Sequence, residues 1–111
     1  MEIYESSTDR WIAGPPIEPR GTGGAAVYCG TIYVFGGESQ AKRATLDEVL
    51  RLDIPGGAWK QATPMRSARN YARAVAFKGG VYLIGGNSAA GDAHSAAGST
   101  TVERFDADCG G

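Results

Sequence analysis

The sequence predicts an all-β chain assembled from repeated four-stranded antiparallel sheets, and three observations carry that reading. Glycine supplies 17 of 111 residues, well above the ordinary frequency of about 7%, and its spread without a G-X-Y period indicates many turns. Short apolar runs separated by turn residues recur along the chain, as short strands require. Most decisively, the chain resembles itself. Ile32-Tyr33-Val34-Phe35-Gly36-Gly37 returns 49 residues later as Val81-Tyr82-Leu83-Ile84-Gly85-Gly86, and such long-period self-similarity is the mark of a repeat architecture.

The elements follow in order. Glu2 to Glu5 reads as a third strand of a unit and Trp11 to Ala13 as a fourth. Residues 24–29 and 31–36 form a hairpin across Cys29-Gly30-Thr31, and residues 72–78 and 80–85 form its copy across Lys78-Gly79-Gly80, because glycine supplies the positive φ that tight hairpins need. The pairs Gly36-Gly37 and Gly85-Gly86 are expected to close their strands where a side chain would not fit. Residues 47–53 and 100–106 are third strands, and residues 58–62 a fourth. Leu46, Val49 and Leu50 also fit the i, i+3, i+4 spacing of a helix over 40–52. The alternating Val102-Glu103-Arg104-Phe105 of the next copy favours a strand.

Other positions share the phase. Arg20 meets Arg69, Pro15 meets Pro64, and Ala25-Ala26-Val27-Tyr28 meets Ala74-Val75-Ala76-Phe77, all at the 49-residue offset. Tyr4-Glu5 stands seven residues before Trp11, as Leu52-Asp53 stands seven before Trp59. A third copy begins at Glu103-Arg104-Phe105-Asp106. On these residues the chain resembles the kelch family, whose repeat of about 50 residues joins a Gly-Gly pair, a Tyr-Asp turn and a Trp. Leu52 in place of Tyr and Glu5 in place of Asp depart from that pattern.

The resemblance implies a β-propeller, a ring of four-stranded blades, of which this chain carries about two. The expected division is a partial blade over 1–14, a full repeat over about 20–62, and a second repeat over about 69–111 that lacks its last strand. Gly36, Gly37, Gly85, Gly86, Tyr33, Tyr82, Trp11 and Trp59 form the structural motif, with the two tryptophans expected between blades rather than stacking on a ligand. A blade is apolar on both faces, and repeat arrays need at least about three units. Partners are therefore expected: either copies of itself, most simply a homotrimer of six blades, or the missing blades of a parent propeller.

Function is expected to be that of a binding scaffold. Kelch proteins commonly bind partners on the face where the loops between strands two and three meet those between blades. Carried over by position, Arg20 and Arg69, with Asn70, Tyr71 and Arg73, are candidates for a protein, peptide or other anionic ligand, since a guanidinium suits carboxylates. The bland alternative is that these arginines merely form ion pairs or hydrogen bonds to loop carbonyls. A carbohydrate-active propeller, binding a sugar or acting as a mutarotase or oxidase, is the second reading. The oxidase would need Tyr, Cys and His ligands, and His94 is the only histidine.

Composition excludes other classes. A net charge of -1 with no basic stripe argues against nucleic acid. Apolar runs such as Val81 to Ile84 are too short for a membrane-spanning helix, and the N-terminus lacks a signal peptide, so a cytoplasmic location is expected. Cys29 and Cys109 are expected to be free thiols, with a disulfide as the alternative, and no zinc set exists among two cysteines and one histidine. Gly85-Gly86-Asn87 does not open the helix that a dinucleotide loop requires. No cofactor or metal is expected. The Ala/Gly/Ser segment from Ser88 to Ser99 is expected to be the most mobile internal part.

Overall fold

The computed structural model describes residues 1–53, 57–87 and 101–106. Among them every regular element is a strand. In chain order these are β1 (Glu2–Glu5), β2 (Arg10–Ala13), β3 (Gly24–Tyr28), β4 (Thr31–Ser39), β5 (Ala44–Asp53), β6 (Lys60–Ala62), β7 (Arg73–Phe77), β8 (Gly80–Ile84) and β9 (Val102–Asp106). They form three antiparallel sheets: β1-β2, β3-β4-β5-β6 and β7-β8-β9. None of the described residues forms a helix long and apolar enough to cross a membrane. The all-β expectation holds, and the alternative helix over 40–52 is instead the strand β5.

The tight hairpins form as the glycine pattern requires. Cys29 and Gly30 have φ of 51° and 75°, and Lys78 and Gly79 have φ of 30° and 89°. Two successive positive φ values give the turn whose twist matches the flanking strands. The resulting registers are equivalent: Ala26 faces Tyr33 in the first repeat and Val75 faces Tyr82 in the second.

The first Gly-Gly pair corrects one expectation. β4 does not stop at Gly36-Gly37 but runs on to Ser39. The register with β5 shifts there, passing from Phe35↔Val49 to Gly37↔Leu46. Asp47 and Glu48 thus bulge opposite Gly36, whose φ is 61°. A side chain at Gly36 would collide with the Arg69 and Leu46 carbonyl oxygens, so glycine is needed both for its conformation and for this close approach. In the second repeat β8 does end at Ile84, just before Gly85-Gly86.

The core lies between the second and third sheets. Tyr33, Phe35, Val49, Met65, Ala72, Val81 and Leu83 are buried in one cluster, with Ala26, Tyr28, Ala74 and Phe105 packed against it. Phe105 sets its ring 5.2 Å from Tyr33 and 5.6 Å from Phe35. Phe105 is half-buried, so it contributes less than the roughly 1.5–3 kcal/mol of a fully buried side chain, and its ring contacts join the two sheets. The opposite face of the third sheet bears Val75, Phe77, Ile84 and Val102 in exposed positions. These are the repeat equivalents of Ala26, Tyr28, Phe35 and Val49, which in the second sheet are covered.

The β1-β2 hairpin is the contrasting element. Seven of its eight strand residues are exposed. Trp11 retains 66% of its surface and touches only one described ring, that of Tyr4 at 5.3 Å. Among the described residues no sheet covers that face of Trp11. Trp59 is half-buried, and its indole N–H donates to the Pro15 carbonyl at 3.0 Å.

Cys29 corrects a further expectation. It is half of a disulfide, not a free thiol; its exposed place at the β3-β4 turn makes its sulfur reachable. Cys109, His94 and the Ser88 to Ser99 segment lie outside the described residues.

Candidate functional site

Two equivalent backbone clasps build the loop rim. Gly21 and Glu38 exchange N–H···O bonds of 3.0 and 2.8 Å, and Asn70 and Asn87 exchange two of 2.8 Å. Each clasp holds the segment entering a first strand against the end of the second strand of the same repeat. The next residues, Thr22 and Tyr71, both take left-handed conformations with φ of 59° and 56°, which is uncommon for residues with a β-carbon. The Tyr71 N–H donates to the Thr22 carbonyl at 2.8 Å and ties the two rims together.

This arrangement encloses a cavity of about 560 Å³ lined by Glu18, Arg20, Thr22, Glu38, Gln40 and Tyr71, among others. Tyr71 presents an exposed ring there. Arg20 is nearly buried, its Nη2 donating to Glu48 Oε1 at 2.6 Å and its Nε to the Glu18 carbonyl at 3.2 Å. The bulge in β5 opposite Gly36 carries Glu48 to this guanidinium. Gln61 Nε2 donates to the other Glu48 oxygen at 2.9 Å. The Arg20 hydrogen bond holds the Glu48 carboxyl below the usual carboxylate range, assisted by the Arg20 charge, by Gln61 and by Lys42, and opposed by burial. Two buried polar atoms of the lining residues, Arg20 Nη1 and Thr22 Oγ1, have no hydrogen-bond partner among the described residues.

Arg69 behaves differently. Its side chain is 1% exposed and bonds to the Gly85 carbonyl, the Thr101 carbonyl and hydroxyl, and Glu103 Oε2 at 3.1, 3.3, 2.8 and 2.6 Å. Glu103 also accepts the backbone N–H groups of Arg66 and Ser67. The Arg69 backbone is engaged as well, its N–H on the Leu46 carbonyl and its carbonyl on the Gly37 N–H. Asn70 is buried and donates to Thr45 Oγ1. Arg73 opens β7 opposite Ile84, on the exposed face of the third sheet.

Of the five expected site residues, then, Arg20 and Tyr71 meet at one cavity, and Arg69, Asn70 and Arg73 are placed elsewhere. Sequence reasoning did not single out Glu48, Glu103 or Thr22. The two glutamates carried a signal, since each stands in a third strand following an arginine at the phase of Arg20. The described residues contain no cluster of three or more His, Cys, Asp or Glu that could hold a metal.

Comparison with known proteins agrees with this geometry. The Kelch motif model matches residues 19–66, from just before Arg20 to the loop that follows β6. Kelch-like protein 9 of Mus musculus is 31% identical over 96 residues, covering 83% of this chain and 16% of that protein. Kelch-like protein 13 is 31% identical in Mus musculus and 30% in Homo sapiens, each over 83% of this chain and 15% of the relative. The chain therefore spans less than one fifth of the length of these curated relatives.

Proposed function

We infer the function from one premise, that this chain is a piece of the kelch-repeat family: it is a binding scaffold whose loop rim around Arg20 receives a protein or peptide segment. The observation that carries this reading is the pair of unsatisfied groups, Arg20 Nη1 and Thr22 Oγ1, in residues that line one cavity. Buried polar groups are ordinarily hydrogen-bonded, and an orphan leaves a desolvation cost that an incoming acceptor relieves. Both atoms lie beneath the surface, so a ligand reaches them through the side-chain adjustments that commonly accompany binding. The exposed Tyr71 ring beside them offers the aromatic anchor that recognition sites favour.

The charge of the cavity refines the expected ligand. Glu48 neutralises Arg20, and Glu18 and Glu38 line the same space. An anionic group would meet two carboxylates there, whereas an uncharged acceptor, such as a peptide carbonyl or side-chain amide, would not. The favoured segment is therefore polar and uncharged where it meets Arg20. Calorimetric titration with two peptides of equal length, one rich in Asn, Gln and Ser and one rich in Asp and Glu, tests this. The uncharged peptide is expected to bind more tightly, and Arg20→Ala to weaken it while Arg73→Ala leaves it unchanged. Tighter binding of the acidic peptide that weakens with salt would instead restore an anionic ligand, and equal binding to Arg20→Ala would remove the site.

A further inference from the structure

The two repeats differ at one place that the rim does not involve. In the first repeat, β6 pairs with the outer edge of β5, and Trp59, one residue before β6, sends its indole N–H to the Pro15 carbonyl. In the second repeat the outer edge of β9 has no strand partner among the described residues. At the corresponding place lies a cavity of about 370 Å³, lined by Pro64, Arg66, Leu83, Glu103, Phe105 and Asp106 among others. Pro64 is the repeat equivalent of Pro15, and Phe105 that of Leu52, the residue beside which Trp59 falls when the β5-β6 register is continued. The cavity is thus the place that a fourth-strand tryptophan fills in the other repeat.

The chain itself carries a second tryptophan at the fourth-strand phase. Trp11 lies in β2, and it is 66% exposed. Its present partner β1 reads Glu-Ile-Tyr-Glu, and β9 carries Glu-Arg-Phe-Asp at its last four positions. The β1-β2 register sets Glu2, Ile3, Tyr4 and Glu5 opposite Ala13, Ile12, Trp11 and Arg10. With β9 in place of β1, Glu103 would face Ala13, Arg104 would face Ile12, Phe105 would face Trp11, and Asp106 would face Arg10. The aromatic pair and the opposite-charge pair are both preserved, and such cross-strand pairs are what stabilise a sheet.

We propose that β2 of a second copy of this chain adds to the edge of β9, seating Trp11 in the Pro64–Phe105 cavity with its indole N–H on the Pro64 carbonyl. The second copy's β1 is displaced in the exchange, since β1 and β9 are alternative partners for one edge of β2. The contact is heterologous, each copy offering β2 to one neighbour and β9 to the other. It is independent of the peptide reading at Arg20, because the two cavities share no lining residue.

Sedimentation of the whole chain over a concentration series reads the association. A mass that rises with concentration is expected, and Trp11→Ala is expected to weaken it at least about 30-fold with an unchanged far-UV spectrum, since Trp11 is exposed in the single chain. Deleting residues 1–5 removes the competing strand and is expected to strengthen it, a sign that no merely structural role of β1 would give. Mixing the single variants Arg10→Cys and Asp106→Cys under mild oxidation is expected to give a disulfide-linked heterodimer. A chain that stays monomeric at its highest soluble concentration, association unaffected by Trp11→Ala, or weakening on deletion of residues 1–5 would each overturn the proposal.

Discussion

Arg20 and Arg69 occupy the same position in successive repeats and each keeps one nitrogen without a partner among the described residues, Nη1 in Arg20 and Nε in Arg69, yet they are held very differently. Arg69 has two backbone carbonyls, a hydroxyl and a carboxylate around it; Arg20 has one carboxylate and one carbonyl, with an amino group left over. The difference arises in the third strands. Glu48 sits in the bulge opposite Gly36, whereas Glu103 comes from β9 opposite Leu83. Glu103 lies two residues further along its strand than the equivalent of Glu48, and that shift lets Thr101 reach Arg69 as well. One repeat thus uses its guanidinium to hold its own rim to its third strand, and in the other the arginine has fewer partners and lines a cavity.

The largest expected effect breaks the more heavily bonded side. Arg69→Ala would leave the Glu103 carboxylate without its guanidinium and two carbonyls without that donor, and breaking a buried pair costs about 3–5 kcal/mol. Urea unfolding should show a large fall in midpoint, and Arg69→Lys should recover only part of it, because an ammonium lacks the planar fork. Gly36→Ala comes next, at about 1–3 kcal/mol, since its β-carbon would press on the Arg69 carbonyl and force a strained φ. A smaller loss, about 1–2 kcal/mol, is expected for Arg20→Ala. A loss at Arg20 equal to that at Arg69 would erase the distinction between the two repeats.

The finest test is pH. Glu48 has its pKa lowered in the folded chain, chiefly by Arg20. A carboxyl with a depressed folded-state pKa contributes stability that is fully present above its unfolded value, about 4.3, and is lost as pH falls through the lower folded value. The unfolding midpoint of the native chain should therefore decline in that acidic window. Glu48→Gln should show a shallower decline, and equal slopes would mean that the Arg20–Glu48 pair contributes nothing to acid sensitivity.

Much of the fold was legible because the repeat phase fixes strands, turns and register together. Tyr33 and Tyr82, or Gly30 and Gly79, announce the same hairpin twice. What stayed hidden depends on contacts that sequence spacing does not encode. Gly36-Gly37 reads as a strand end, since positive φ suits a stop as well as a bulge, and only the pairing with β5 decides for the bulge. Arg20 and Arg69 are indistinguishable in phase; their difference lies in partners 28 and 34 residues away. Trp11 and Trp59 share a phase too, but among the described residues only Trp59 has its loop carbonyl within reach. Tyr71 was legible as a site residue by its neighbourhood to Arg69, although it serves the cavity of Arg20.

The reciprocal bonds between Gly21 and Glu38, and between Asn70 and Asn87, bear on the kinetics of amide exchange. Loop amides ordinarily swap their protons for deuterons within the fast-exchanging class, because little opening is needed to expose them. Glu38 already belongs to β4; the other three, Gly21, Asn70 and Asn87, are paired as strand amides are, so they should exchange with the slow class of β4 and β8 rather than with their loops. The same rigidity lowers the entropic cost of association. A partner arriving at this rim meets backbone that is already ordered, and its affinity is not reduced by the work of ordering it.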